Sequence, residues 1–105
     1  MDGRTLPCID VDAAAALTDA VLLDVREFQE WMAGRAPSAV HIPMGEIDRT
    51  RRVICICRSG NRSSRVTQWL RDQGIDAVNM TGGMNAWASA QHPMVNHAGN
   101  PGVVI

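Results

Sequence analysis

The segment that most limits the fold of this chain is an apolar run that leads through a glycine-containing turn into a helical pattern. Residues 53–57 (VICIC) contain only apolar residues and cysteines, which is typical of a strand buried on both faces. The turn at 58–62 (RSGNR) follows. Residues 63–73 then predict a helix with Val66, Trp69 and Leu70 on one face, ended by Gly74. This strand–turn–helix unit indicates a parallel sheet covered by helices.

The rest of the chain continues the same alternation. The hydrophobic pattern predicts strands at 8–10, 21–25, 39–42 and 75–80, and helices at 11–17, 27–33 and 84–90. The first helix has Asp10 or Asp12 near its N-cap. The second has Phe28, Trp31 and Met32 on one face, with Gly34 as its stop. We therefore expect an α/β fold with a mainly parallel central sheet and helices on both faces: one domain at 1–95 and a C-terminal extension at 96–105.

Length and charge exclude several kinds of protein. A chain of 105 residues has no room for a second domain with its own core. The net charge of −1 provides no general attraction to nucleic acid or to an anionic membrane. No apolar run approaches the roughly 20 residues that span a bilayer, and residues 1–8 lack the apolar core of a signal peptide. We expect a cytoplasmic protein with neither a nucleic acid nor a membrane as its partner.

Cysteine and lysine usage narrows the chemistry further. The chain has three cysteines, Cys8, Cys55 and Cys57, and an odd number favours reduced thiols over a disulfide framework. All ten basic residues are arginines, so Schiff-base chemistry and a phosphate-binding P-loop lysine are excluded. Cys55, Cys57 and His41 do not have the spacing of a zinc site, and we expect no metal.

Cys57 is the strongest candidate for chemistry. It ends a buried strand, and ligands of open parallel sheets bind beyond the carboxyl ends of the strands. The N–H groups of the following helix, together with Arg58 and Arg62, would favour its thiolate. Gly60 allows the turn to gather its N–H groups into an anion-binding nest. The alternative is a buried strand cysteine before an ordinary turn.

Four sequence motifs of this chain resemble motifs of the rhodanese-like sulfurtransferases. The loop at 57–63 (CRSGNRS) is similar to the active-site loop of single-domain members. The segment at 24–28 (DVREF) resembles the family's Asp-x-Arg motif, and 34–43 (GRAPSAVHIP) resembles its Gly-His-Ile-x-Gly-Ala-x-Asn-Ile-Pro. Residues 82–87 (GGMNAW) match its Gly-Gly-x-x-x-Trp signature. The resemblance runs from about residue 9 to residue 95 and implies a single rhodanese-like domain.

The resemblance also implies an activity, in which Cys57 takes sulfane sulfur from thiosulfate or a persulfide and holds it as a cysteine persulfide. The acceptor would be cyanide, a thiol or a protein, and no cofactor would be needed. The loop residues expected to bind the anionic substrate are Arg58, Ser59, Gly60, Asn61, Arg62 and Ser63. The residues expected to support the site structurally are Asp24, Arg26, Gly82, Gly83 and Trp87. The alternative is a non-catalytic regulatory or sulfur-sensing module that binds a partner protein.

Spacing separates this loop from a similar one in phosphatases. Those enzymes use Cys-x5-Arg, which would place the arginine at 63, but Ser63 stands there and Arg62 comes one position too early. The chain also departs from the sulfurtransferase pattern at Arg35, commonly histidine, and at Ser38, often glycine. Only residues 44–52 connect Pro43 to the catalytic strand. Either the helix usual in relatives is reduced to a turn there, or the site is more open.

The remaining candidates have structural interpretations. Cys55 is interpreted as core and Cys8 as a small apolar filler, with a resolving thiol as the alternative for Cys8. Arg26 is expected to form an architectural ion pair with Asp24 or Glu27. The other side chains expected to be structural or solvated are His41, His92 and His97, and those expected to pack in the core are Trp31, Trp69 and Trp87.

Overall fold

A computed structural model describes residues 6–105 of the chain. The elements in chain order are β1 (Cys8–Ile9), α1 (Val11–Ala16), β2 (Val21–Asp24), α2 (Phe28–Ala33), a 3-10 turn (Met44–Glu46), β3 (Val53–Ile56), α3 (Asn61–Asp72), β4 (Ala77–Met80) and α4 (Gly83–Ser89). The four strands form one sheet in the order β1-β4-β3-β2, and every neighbouring pair is parallel. The predicted α/β fold with a parallel sheet is confirmed.

Helices cover both faces of this sheet. On one face α1 and α4 pack against alternate strand residues that include Leu22, Ile54 and Val78. On the other face Leu70 of α3 packs against Leu23 and the remaining strand residues. All four residues of β3 are buried, as expected of a central strand between two helical layers.

The predicted core face of α2 is wrong, and that of α3 is wrong only at Trp69, since Leu70 is buried and Val66 packs against the same cluster. α2 buries none of its residues, and Phe28 is 60% exposed. Trp69 of α3 is 47% exposed, because the buried stripe of that helix is formed by Ser63, Thr67 and Leu70. Trp31 is half-buried beside the ring of His41, whereas Trp87 is buried as predicted.

The predicted strand at 39–42 is also wrong. Val40 alone forms a parallel bridge, opposite Leu23, with its N–H and carbonyl bonded to the backbone of β2. A turn in which the Ala39 N–H donates to the Ala36 carbonyl precedes this bridge, and Pro43 follows it. The segment therefore has no length over which a ladder could extend.

The tail at 96–105 folds back against the end of α2. Val95 forms antiparallel bridges with Arg35 and with Pro101, and the Val103 N–H donates to the Ala33 carbonyl at 3.0 Å. Gly34 is required for this approach, since a Cβ there would meet the Val103 carbonyl oxygen at 2.4 Å. Between residues 6 and 105, no helix is long and apolar enough to cross a membrane.

Candidate active site

Cys57 lies at the carboxyl edge of the sheet, immediately after β3, and its side chain is buried. The Gly60 N–H donates to its Sγ at 3.0 Å, and the Ser63 hydroxyl lies 3.3 Å from the same atom. Gly60 has a φ of 102°, a left-handed conformation that glycine adopts without strain. This turn brings the start of α3 over the sulfur, as the sequence predicted for the loop.

The pKa of Cys57 is set by two opposing effects. Burial raises the pKa, whereas hydrogen bonds from the Ser63 hydroxyl and from the backbone N–H groups of Ser63, Gly60 and Ser59 lower it. The hydrogen bonds outweigh burial and hold the pKa of Cys57 below its ordinary value. Within the described residues, no arginine side chain donates a hydrogen bond to this sulfur. The thiolate is therefore stabilised mainly by the loop itself.

Arg62 is engaged by a carboxylate that the sequence analysis missed. Its Nη1 and Nη2 donate to Oε1 and Oε2 of Glu30 at 2.7 and 2.8 Å, which makes a bidentate pair. These hydrogen bonds lower the pKa of Glu30 to about 2 and raise the pKa of Arg62. Glu30 also accepts the Glu27 N–H in a capping box at the start of α2. The only signal in the sequence was this glutamate three residues after Glu27.

Arg58 has a different environment from Arg62. Its side chain is exposed, and it makes no hydrogen bond or ion pair with any other residue of the described range 6–105. Asn61 is also exposed, and its carbonyl accepts the Ser64 hydroxyl at 2.6 Å. Of the two arginines predicted to bind substrate, Arg58 is thus the one whose charge is not already paired in this part of the chain.

The start of α4 holds the backbone of the Cys57 loop. The Met84 N–H donates to the Cys57 carbonyl at 2.8 Å, and the Asn85 N–H donates to the Arg58 carbonyl at 3.0 Å. A Cβ on Gly83 would lie 2.4 Å from that Cys57 oxygen, so only glycine permits this approach. Gly82, with a φ of 77°, is the N-cap of the helix.

The other three predicted supporting residues hold segments near the Cys57 loop. Asp24 and Arg26 form a fully buried pair, with Arg26 Nη2 2.8 Å from Asp24 Oδ2 and 2.7 Å from the Gly34 carbonyl. The chain between them lies beside the Cys57 loop, since the Val25 N–H donates to the Ile56 carbonyl. In α4, the Trp87 indole donates to the Pro93 carbonyl at 2.9 Å.

The connection from residue 44 to residue 52 is reduced to the 3-10 turn, which was one of the two alternatives. A cleft of about 500 Å³ lies beside this turn, and its lining includes Val25, His41, Met44 and Val66. Val25 follows the strand residue that pairs with Ile56, so the cleft reaches the edge of the sheet where the Cys57 loop begins.

The other two cysteines differ sharply from Cys57. Cys55 is buried in the core beneath α3, and burial raises its pKa to about 11. Cys8 is exposed, so its interpretation as an apolar filler is wrong: β1 is a two-residue edge strand that leaves this side chain in solvent. His41 binds the Arg26 carbonyl at 2.7 Å and His92 contacts Asp12, both structural roles outside the Cys57 loop.

Asn79 is the second residue that the sequence analysis missed. Its Nδ2 donates to the Gly60 carbonyl at 3.1 Å, and its Oδ1 accepts the Ser63 hydroxyl. It lies on β4, so its side chain reaches the loop from a neighbouring strand. A single polar residue in the apolar run at 77–80 was the available signal.

Comparison with known proteins agrees with this architecture. The family model described as "Rhodanese-like domain" matches residues 10–90. The chain is 44% identical over 79 residues to a Bacillus subtilis protein named "Putative sulfurtransferase YtwF", covering 69% of this chain and 77% of that protein. It is 38% identical over 85 residues to a protein of Allochromatium vinosum named "Sulfurtransferase", covering 73% and 79%.

A solved structure extends the comparison to the fold. The rhodanese-related protein of Thermoplasma volcanium superposes with a TM-score of 0.77 at 27% identity, over 85% of this chain and 97% of that one. Sheet topology and relatives together place the chain in a class of small α/β domains. The chain belongs to the rhodanese-like domain family.

Proposed function

We propose that this protein is a sulfurtransferase that carries sulfane sulfur on Cys57, with thiosulfate or a persulfide as donor. The observation that carries the proposal is the pair of donors on Cys57 Sγ, the Gly60 N–H at 3.0 Å and the Ser63 hydroxyl at 3.3 Å. They lie where the anionic sulfur of a thiolate or of a persulfide needs stabilisation. The relatives named as sulfurtransferases support the same reaction class.

The proposed reaction has two displacements at sulfur. The Cys57 thiolate attacks the outer sulfur of thiosulfate; a new S–S bond forms, the S–S bond of thiosulfate breaks, and sulfite leaves with the electron pair. An acceptor such as cyanide, a thiol or a protein thiol then attacks the outer sulfur of the persulfide, and the Cys57 thiolate leaves. Electrons balance between donor and acceptor, so neither step calls for a metal or an organic cofactor.

The loop residues divide into two proposed roles. The N–H groups between Ser59 and Ser63 stabilise the sulfur anion, and the exposed charge of Arg58 captures the anionic donor. Arg62, held by Glu30, keeps the shape of the loop. Three free cysteines, at 8, 55 and 57, favour a reducing compartment, and we place the reaction in the cytoplasm.

Intact-protein mass spectrometry after incubation with thiosulfate tests the proposal. We expect the wild type to gain one sulfur atom, which cyanide removes as thiocyanate, and Cys57→Ser to gain none. Cys8→Ser is the matched control, because it removes an exposed thiol outside the loop and should label like the wild type. An unlabelled wild type, or equal labelling of Cys57→Ser, would instead favour a non-catalytic module that binds a partner protein.

A phosphatase assay tests the substrate class separately. The longer phosphatase loop would have an arginine at position 63. In this chain Ser63 stands there, and the arginine is one position earlier, at 62. We therefore expect thiocyanate formation from thiosulfate and cyanide, and essentially no release of phosphate from aryl phosphates. Cys57-dependent phosphatase turnover at a comparable rate would contradict the assignment.

A further inference from the structure

Asn79 is the only polar side chain of β4, and it contacts the Cys57 loop at two points. Its Nδ2 donates to the Gly60 carbonyl at 3.1 Å, and its Oδ1 accepts a hydrogen bond from the Ser63 hydroxyl. Gly60 and Ser63 are the same two residues whose N–H and hydroxyl approach Cys57 Sγ. The Asn79 amide therefore contacts both of the residues that lie within hydrogen-bond distance of Cys57 Sγ.

Hydrogen-bond chemistry determines how this amide must be oriented. The Gly60 carbonyl can only accept, so the NH2 group of Asn79 faces it. The amide oxygen is then left facing Ser63, which has a single hydroxyl proton. Because an amide is planar, the two contacts fix the separation between the Gly60 carbonyl and the Ser63 side chain.

The strand gives Asn79 a rigid base. β4 lies between β1 and β3, and Asn79 is in register with Cys8 on one side and Cys55 on the other. Its own backbone N–H donates to the Pro7 carbonyl at 3.0 Å. The side chain that contacts the loop therefore extends from a strand that is paired on both sides.

We propose that Asn79 is a positioning residue that holds the Gly60 turn against Ser63, so that the Gly60 N–H points at Cys57 Sγ. The inference rests on the proposed role of Cys57 as the reactive sulfur. Its consequence is that removing the Asn79 amide loosens the Gly60 N–H, although no atom of Asn79 needs to touch the substrate.

The charged groups around Cys57 make this consequence measurable. Arg62 and Glu30 form an ion pair on the α2 side, Asp24 and Arg26 form a buried pair on the β2 side, and Arg58 is exposed in the loop. Beneath the loop lies the Cys55 thiol, whose pKa is raised by burial. Strand β4 and helix α4 carry no titratable side chain. Replacing Asn79 with alanine changes no charge, so any shift in the titration of Cys57 reports its hydrogen bonds.

The test is the pH dependence of iodoacetamide labelling, with peptide mapping to assign each thiol. We expect Ser63→Ala to raise the inflection for Cys57, because burial is then less well opposed. Asn79→Ala should raise it by about one further pKa unit when it is made in the Ser63→Ala protein, where no Ser63 proton can move from Asn79 to the sulfur. Asn100→Ala, an exposed position on the tail, is the matched asparagine control and should label like the wild type. Labelling of the exposed Cys8 shows that the reagent is active. If the buried Cys55 stays unlabelled, the fold is intact.

Asn79→Thr is the second variant in case alanine disrupts the strand. Threonine suits a strand, but its one hydroxyl cannot bridge Gly60 and Ser63. We expect the same upward shift for Cys57. In the Ser63→Ala background, an unchanged or lower inflection in the folded Asn79 variants would overturn the proposal.

The labelling result is independent of sulfur transfer. A shifted inflection in a protein that takes no sulfur from thiosulfate would support the role of Asn79 and contradict the proposed function. A wild type that gains sulfur, together with Asn79 variants that titrate normally, would contradict the positioning role alone.

Discussion

At the scale of single residues, the two arginines of the Cys57 loop have opposite surroundings. Arg62 is bound on both Nη atoms by Glu30, so its charge is largely committed within the protein. Arg58 is exposed and unpaired with any residue from 6 to 105. A charge without an internal partner is free to attract an anion, whereas a paired one contributes mainly to structure.

This difference predicts distinct kinetic effects of the two substitutions. We expect Arg58→Ala to raise KM for thiosulfate about tenfold while kcat falls less, because a contact made equally to donor and transition state is lost. Arg62→Ala should lower kcat as well, since the loop loses its link to α2. Arg49→Ala, which removes an exposed arginine bonded to the Gln73 carbonyl, is the control and should behave like the wild type. An unchanged KM in Arg58→Ala would contradict anion capture by this residue.

Residue identity could be predicted from sequence only where the signal was local. Cys57 and Gly60 stood out because a buried strand, a glycine turn and a helix are consecutive in the chain. Glu30 and Asn79 did not, since their loop partners are 32 and 16 positions away. Nothing near either residue indicates which side chain the fold will bring to it.

At the scale of elements, sequence patterns predicted strands and helices better than they predicted their exposed faces. The parallel strands were recognisable because burial on both faces leaves them continuously apolar. The apolar face expected of α2 failed because none of the residues of that helix is buried. The helix instead contacts the Cys57 loop through the Glu30–Arg62 pair, and the tail through the carbonyls of Met32 and Ala33. Apolar spacing alone does not show what a short helix will contact.

The link between α2 and α3 predicts a pH-dependent loss of stability in Glu30→Gln. We expect the substitution to reduce the free energy of unfolding at pH 7 by about 1 kcal/mol, because half of the Arg62 side chain remains in solvent. The pKa of Glu30 is about 2 when folded, below its ordinary 4.5, so the pair stabilises in full above pH 4.5 and loses its effect as pH falls toward 2. Urea unfolding from pH 7 to pH 2.5 should show the two proteins converging. A constant difference across this range would contradict the ion-pair explanation.

The contact between α4 and the Cys57 loop predicts that glycine substitutions will reduce stability to different extents. We expect Gly83→Ala to reduce the free energy of unfolding by about 3 kcal/mol, because its Cβ would strike the Cys57 carbonyl at 2.4 Å and its φ is 58°. Gly74→Ala has a φ of 83° but open space, and should cost about 1 kcal/mol.

Gly45→Ala serves as the control in the series, because nothing lies within 4 Å of its added Cβ. We expect it to unfold like the wild type in urea. Equal losses at Gly83 and Gly74 would show that backbone strain alone, rather than the close approach to Cys57, explains the need for glycine at 83.

At the scale of the whole molecule, the sheet and the tail contact different elements around the Cys57 loop. The sheet positions Cys57 and Asn79 directly, through β3 and β4. The tail contacts α2, through hydrogen bonds from His97 to Met32 and from Val103 to Ala33. The sequence predicted an extension at 96–105 but could not predict where it would lie, because that depends on a close approach to Gly34 from the far end of the chain.

Deleting residues 96–105 should therefore separate stability from the chemistry of Cys57. We expect the deletion to lower the thermal midpoint by several degrees, because the His97 and Val103 hydrogen bonds to α2 are lost, while the labelling inflection of Cys57 stays unchanged. Gly34→Ala keeps the chain length but places a Cβ 2.4 Å from the Val103 carbonyl, and should weaken the same contact. Differential scanning calorimetry and iodoacetamide labelling of both variants provide the measurements. If either variant shifted the Cys57 inflection as far as Asn79→Ala, the tail would be part of the catalytic unit, and the domain boundary proposed at residue 95 would be wrong.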